Sequence, residues 1–207
     1  MTQRKVAIVI FDDVEVLDFA GPFEVFSVTG RNEPTKPFDV KLVAQRLEPI
    51  RARNDFVVTP HHSFETCPTP EILIVPGGGG QRADGTPFGT RLEMNNPAML
   101  EFVKRQNSST ALTLSVCTGA LVLARAGLLE GLRATTHHRA FDQLRAVAPN
   151  TTVLEGVKMV DAGHIVTSGG ISAGIDMSLG VIARLLGQDV ALETARYMEY
   201  DWEGVKV

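Results

Sequence analysis

Short apolar, β-branched runs alternate along this chain with segments of helical spacing. Residues 6–11 form one such run, stopped by Asp12 and Asp13, and Ile72–Val75 forms another, stopped by Pro76 and four glycines. Both read as buried strands, as do residues 111–116. Phe38–Ala44 is a further predicted strand, 55–60 a short piece of β, and 134–136 a brief strand. Residues 157–161 and 164–167 are spaced for a hairpin about Gly163. Helices are expected between these pieces. The first is entered near Pro22 and carries Phe23, Val25, Phe26 and Val28. Residues 97–106 follow, with Pro97 suited to the first turn, then 118–126, which is apolar all round, and 139–147. Residues 172–186 place Leu179, Ile182, Ala183 and Leu186 on one face, and Asp189 reads as the N-cap of a last helix running to about Met198. Residues 81–96, rich in glycine, asparagine and charge, read as a long loop.

Continuous apolar strands alternating with helices predict an α/β fold, a doubly wound and mostly parallel sheet sandwiched by helices. No repeat or linker divides the chain, so residues 1–207 are expected to form a single domain. Ligands in such sheets bind beyond the carboxyl ends of the strands, which directs attention to the loops after Phe11, Val75, Val116 and Thr136.

Composition narrows the partners. The net charge of −4 offers no electrostatic reason to bind nucleic acid or an anionic membrane, and leaves room for a small uncharged substrate. The N-terminal apolar run is too short for a secretory signal, and no apolar run is long enough to span a bilayer. The expectation is a cytoplasmic protein with neither nucleic-acid nor membrane partners. Two cysteines are too few for a disulfide framework.

The first strand-to-helix turn lacks the glycine fingerprint of dinucleotide folds, and the 77–80 glycine run is followed by Gln81 and Arg82, unlike a P-loop. The histidines at 61, 62, 137, 138 and 164 have no metal-ligand spacing, so no metal or cofactor is expected. Cys117 stands out. Ser115-Val116-Cys117-Thr118-Gly119 places a thiol between a buried strand and a buried helix, the setting of a nucleophile elbow. The helix N-terminus is expected to lower the thiol pKa, and Gly119 to let helix and sheet approach. A free cysteine is also a common buried hydrophobe, and Cys67, in a loop between prolines and threonines, reads as inert. Asp18, which also has the makings of a helix N-cap, and the glycines at 77–80 are expected on the same rim as Cys117. They would supply an acid and an anion nest.

These segments resemble the ThiJ/PfpI superfamily, and within it the isocyanide hydratase branch. The resemblance runs along nearly the whole chain. It is carried by Leu17-Asp18-Phe19-Ala20-Gly21-Pro22, Val75-Pro76-Gly77-Gly78, the Cys117 segment, Gly127-Leu128-Leu129-Glu130-Gly131, Arg133-Ala134-Thr135-Thr136-His137, and the run from Thr167 to Asp176. It implies a flavodoxin-like, class I glutamine amidotransferase-like sandwich that forms a homodimer and uses no cofactor. Cys117 would be the nucleophile and Asp18 its general acid/base. Thr118 would line the site. Gly78 and Thr118 amides would stabilise negative charge, with Gly79 beside them, and the Ile171 segment would pack near the sulfur. His137 follows a strand and is expected within reach of the site. Thr118 stands where protease-like members carry histidine, no His-x-Glu element completes an amidotransferase triad, and the chain stops at Val207 without a helix-turn-helix. His138 replaces an expected tryptophan, the 81–96 loop is longer, and a C-terminal extension is missing.

The resemblance therefore implies that Cys117 attacks the terminal carbon of an isocyanide, that a thioimidate forms, and that water releases an N-substituted formamide. Two other classes remain open on the residues: a hydrolase or glyoxalase-like enzyme for another small electrophile, and a redox or stress sensor that uses the same cysteine.

Overall fold

The computed structural model describes residues 3–204. A seven-stranded sheet runs through it in the order Met159–Asp161, Ile165–Ser168, Leu112–Ser115, Ile72–Val75, Arg4–Val9, Phe38–Ala44, His62–Ser63. All neighbours pair in parallel except the first two, which form the antiparallel hairpin expected around Gly163. The helices Val16–Val28, Ala173–Leu186 and Gln188–Tyr197 pack on one another, and a second group comprises Pro97–Asn107, Gly119–Arg125 and Phe141–Val147. Sandwiched between helices, Ile72–Val75, Leu112–Ser115 and Ile165–Ser168 are buried at every position, which is why their sequences run apolar rather than alternate. Ile8, Ile10, Leu73, Ile74 and Leu114 are fully buried in the core. Each contributes about 1.5–3 kcal/mol by leaving water.

Several boundaries differ from the sequence reading. The first helix begins at Val16, not near Pro22. Its entry is anchored to the glycine segment: Glu15 N–H donates to Gly77 O at 3.0 Å, and Val14 bridges Gly78. The helix then tolerates Pro22, which forgoes one intrahelical bond. The stretch 81–96 is not a loop. Gly79–Gln81 and Pro87–Gly89 pair as a hairpin, its tip closed by Gly85 N–H to Arg82 O at 2.9 Å and Thr86 N–H to Asp84 Oδ1 at 2.9 Å, and a helical turn Thr90–Glu93 follows. Polar composition concealed regular structure there, because turn chemistry at Asp84-Gly85 and close backbone crossing at Gly79 and Gly89 made it. Arg133–Ala134 pairs with Thr152–Val153 outside the main sheet. Of the 55–60 stretch only Val57–Val58 is strand, paired with Ile50–Arg51. The last helix is preceded by Gly187, so Asp189 lies in its first turn rather than capping it. Among the described residues no helix is long and apolar enough to cross a membrane.

Gly119 shows how tightly the strand-to-helix turn is folded. A β-carbon there would lie 2.0 Å from the carbonyl oxygen of Val75. The obstacle is main chain in the middle of the sheet, which cannot rotate away. Gly119→Ala is therefore expected to destabilise the fold by about 3 kcal/mol or more in urea denaturation. Gly131→Ala, which meets nothing within 4 Å but has φ 70°, is expected to cost only about 1–2 kcal/mol.

Candidate active site

Cys117 follows Leu112–Ser115 and precedes Gly119–Arg125 with φ 55°, the left-handed conformation of an elbow. Its own backbone is strapped on both sides: its N–H donates to Gly169 O at 3.0 Å, and its carbonyl accepts from Thr136 Oγ1 at 2.8 Å. The sulfur is buried, with the residue 5% exposed. Asp18, in the first turn of Val16–Val28, is 0% exposed and faces it. One carboxylate oxygen, Oδ2, accepts from Gly77 N–H at 3.0 Å, while Oδ1 has no N–H or O–H donor among the described residues.

Burial dominates the electrostatics. It pushes Asp18 up to about 7, against the lowering effects of the Gly77 N–H and the Cys117 thiol. Burial first, and the Asp18 charge second, push Cys117 up to about 12. The expectation of a lowered thiol pKa is overturned. The backbone N–H groups of Thr118 and Ile171 do lower it, but seven residues of helix cannot offset the loss of water together with a neighbouring carboxylate. The resting form is a neutral thiol beside a carboxyl group that titrates near neutrality.

The other predicted residues fall around this pair with altered tasks. Thr118 is buried, and its hydroxyl accepts from Gly78 N–H at 3.0 Å and donates to Thr90 Oγ1 at 3.1 Å. The Gly78 amide is thereby occupied and the Gly77 amide is held by Asp18, so the glycine run is not an open anion nest. Gly79 serves the hairpin: a β-carbon there would sit 2.2 Å from Phe88 O. Gly77, expected in the sequence as part of the anion nest, is instead the glycine that lets the two side chains of the site close on the turn, since its β-carbon would lie 2.5 Å from Thr118 N and 3.0 Å from Asp18 Oδ2. Ile171 has φ 47° and contributes its N–H toward the sulfur, while the residue itself is 39% exposed. His137 packs against Gly170, where a β-carbon would come within 2.1 Å of its ring, and its Nδ1 accepts from Arg139 N–H at 3.2 Å. Burial, then the charges of His138, Arg139 and Arg91, lower its pKa.

Sequence reading missed Thr90 and Arg91, both assigned to the loop at 81–96. No sequence signal marked either, because their position depends on the hairpin that precedes them. Cys67 is half-buried, donates to Pro68 O at 3.3 Å, and is pushed up to about 11 by burial with no acid beside it. Among the described residues no three His, Cys, Asp or Glu side chains converge to hold a metal ion. A cavity of about 370 Å³ lined by Thr136, Gly169, Gly170 and Ala173 adjoins the elbow.

Residues 4–184 match the DJ-1/PfpI family. The chain belongs to that family. Isonitrile hydratase of Pseudomonas putida is 33% identical over 196 residues, covering 95% of this chain and 78% of the relative. A ThiJ/PfpI family protein from Pseudomonas syringae superposes with a TM-score of 0.84 at 27% identity, over 98% of this chain and 77% of that one. Drosophila melanogaster DJ-1beta shares the fold, with a TM-score of 0.81 at 18% identity, over 97% of this chain and 100% of that one. The DJ-1/PfpI assignment agrees with the flavodoxin-like sandwich described above, and the sequence resemblance and the family match point the same way.

Asp18 makes the stability of this DJ-1/PfpI chain depend on pH. The folded state keeps the Asp18 proton up to about pH 7, whereas an unfolded chain releases it at about pH 4. Across that window unfolding releases a proton, so stability falls as pH rises, and the cost persists above it. Asp18→Asn removes the term. The variant is expected to gain stability over the parent at pH 8, with the gain shrinking toward pH 4 in urea titrations. A pH-independent difference would count against a raised Asp18 pKa.

Proposed function

We propose that this protein is a cysteine-dependent isocyanide hydratase, working as a cytoplasmic homodimer without a cofactor. The observation that carries the reading is the pairing of a buried thiol with a buried carboxyl group that titrates near 7. Thr118 after the cysteine, and 33% identity to an isonitrile hydratase, support the choice of chemistry.

An isocyanide R–N≡C is electrophilic and nucleophilic at one carbon, so its hydration needs a nucleophile and a proton at the same place. Asp18 in its carboxylate form takes the thiol proton as Cys117 Sγ bonds to the terminal carbon. It then delivers that proton to the carbon, giving the thioimidate R–N=CH–S–Cys117. Water adds to this carbon. Asp18 takes a proton from the water and passes it to the nitrogen, leaving R–NH–CH(OH)–S–Cys117. The hydroxyl proton passes through Asp18 to the sulfur as the C–S bond breaks, and the formamide R–NH–CHO leaves with the Cys117 thiol restored. The sum is one isocyanide plus one water. The N–H groups of Thr118 and Ile171 stabilise negative charge on the sulfur as it arrives and departs. A carboxyl group near 7 suits both directions of transfer at neutral pH.

The test is formamide production from a panel of small isocyanides, with methylglyoxal consumption followed in parallel. The parent protein is expected to form the N-substituted formamide, and Cys117→Ala to form none. Asp18→Asn is expected to lower kcat by about 10²- to 10⁴-fold. A folded protein that consumes methylglyoxal and leaves every isocyanide intact refutes the hydratase reading.

A further inference from the structure

Arg91 lies at the rim of the elbow, one residue after the Thr90 hydroxyl that accepts from Thr118. Its side chain is half-buried, and its Nε is tethered by donation to Gln143 Oε1 at 3.1 Å. Gln143 is itself held, its amide nitrogen 3.8 Å from Met94 Sδ. Among the described residues no carboxylate pairs with Arg91, and its two terminal nitrogens have no hydrogen-bond partner. Burial lowers its pKa and the charge of Cys117 opposes that, so guanidinium and sulfur share one electrostatic environment. His137 also senses Arg91, whose charge adds to burial in lowering the imidazole pKa. Arg91 supplies a standing positive charge in the environment of the sulfur, while Arg139 is exposed.

A guanidinium taken partly out of water without a counter-ion is costly, and its two free nitrogens form the fork that a carboxylate fits. Since Nε is fixed to Gln143, the fork is also oriented in advance. We propose that Arg91 is the specificity-determining cation of this site, and that the substrate reacting at Cys117 carries a carboxylate which the free Nη groups bind. In the hydratase reading, on which this inference rests, the substrate class is an isocyanide with a carboxylate-bearing substituent. Such a molecule is uncharged at the reacting carbon and anionic at its far end.

Two measurements separate this inference from the reading beneath it. The first compares kcat/KM for isocyanoacetate and for its methyl ester. The parent is expected to prefer the acid, Arg91→Gln to reduce that preference by about tenfold to hundredfold, mainly through KM, and Arg91→Lys to retain part of it. The second needs no turnover. In a Cys67→Ser background, Cys117 is alkylated with iodoacetate or with iodoacetamide, each losing iodide as the S–C bond forms, and the adduct is followed by intact mass. Arg91→Gln is expected to lower the iodoacetate-to-iodoacetamide rate ratio about tenfold, and because the ratio is taken within one protein the folded fraction cancels. An unchanged ratio overturns the role of Arg91 even if formamide is made. A lowered ratio with no isocyanide consumed keeps the carboxylate site and overturns the hydratase.

Discussion

A non-glycine residue held at φ 55° between a buried strand and a buried helix is the constraint around which this structure is arranged. The left-handed conformation costs a side-chain-bearing residue about 1–2 kcal/mol and persists only where neighbours over-determine it. At Cys117 the over-determination is visible: its N–H is taken by Gly169, its carbonyl by Thr136, and the next turn is pressed so close to Val75 that only glycine fits at 119. The same compression reaches Gly77, whose missing side chain lets Asp18 and Thr118 approach the turn from either side. The glycines of this region serve backbone crossings. The polar side chains occupy the amides that a bare loop would have offered to an anion.

Because those amides are occupied, the charge at the site is managed by few groups. Asp18 and Cys117 sit together out of water and cannot both be ionised cheaply: burial raises both, the Asp18 charge raises the thiol further, and the neutral thiol's hydrogen bond eases Asp18 back down, so the pair prefers to carry no more than one negative charge. That charge meets the N–H groups of Thr118 and Ile171, with Arg91 at the rim. A thiol at about 12 is no defect in such a site. A low thiol pKa would give a standing thiolate of weak basicity, whereas this arrangement keeps the nucleophile neutral until a base removes its proton during attack.

Hydrophobic pattern carried the sheet and most helices, because the central strands are buried on both faces and leave an apolar signature that needs no tertiary knowledge. The elbow was legible for the same reason: a cysteine directly after such a strand and before an apolar helix has few other geometries. Where polar composition met close backbone contact, pattern failed. The hairpin after Gly78 depends on Gly79 and Gly89 crossing within a distance no side chain allows, and no periodicity announces that. With it went the positions of Thr90 and Arg91. The Ile171 segment was read by its apolar side chain, although the structure turns its amide to the sulfur and exposes the side chain, a reversal set by φ 47° after two glycines.

The two oxygens of Asp18 show how this fold keeps a reactive group poised. Oδ2 is fixed by the Gly77 amide, which sets the plane of the carboxyl group against the turn. Oδ1 is buried with no N–H or O–H donor. A second donor there would stabilise the charged form and return the pKa toward that of an ordinary carboxylate, leaving a base too weak to receive a thiol proton near neutrality. An unanchored carboxyl group would lose its orientation toward the sulfur. The Gly77 bond holds the geometry and burial holds the basicity, against the lowering effect of the Cys117 thiol, so the oxygen with no N–H or O–H donor is the one best placed to exchange a proton. Ser115 Oγ and Thr135 Oγ1 are likewise buried without a partner among the described residues, so what distinguishes Asp18 Oδ1 is that it belongs to an ionisable group and lies where the structure is most tightly constrained, beside the cysteine in its left-handed turn.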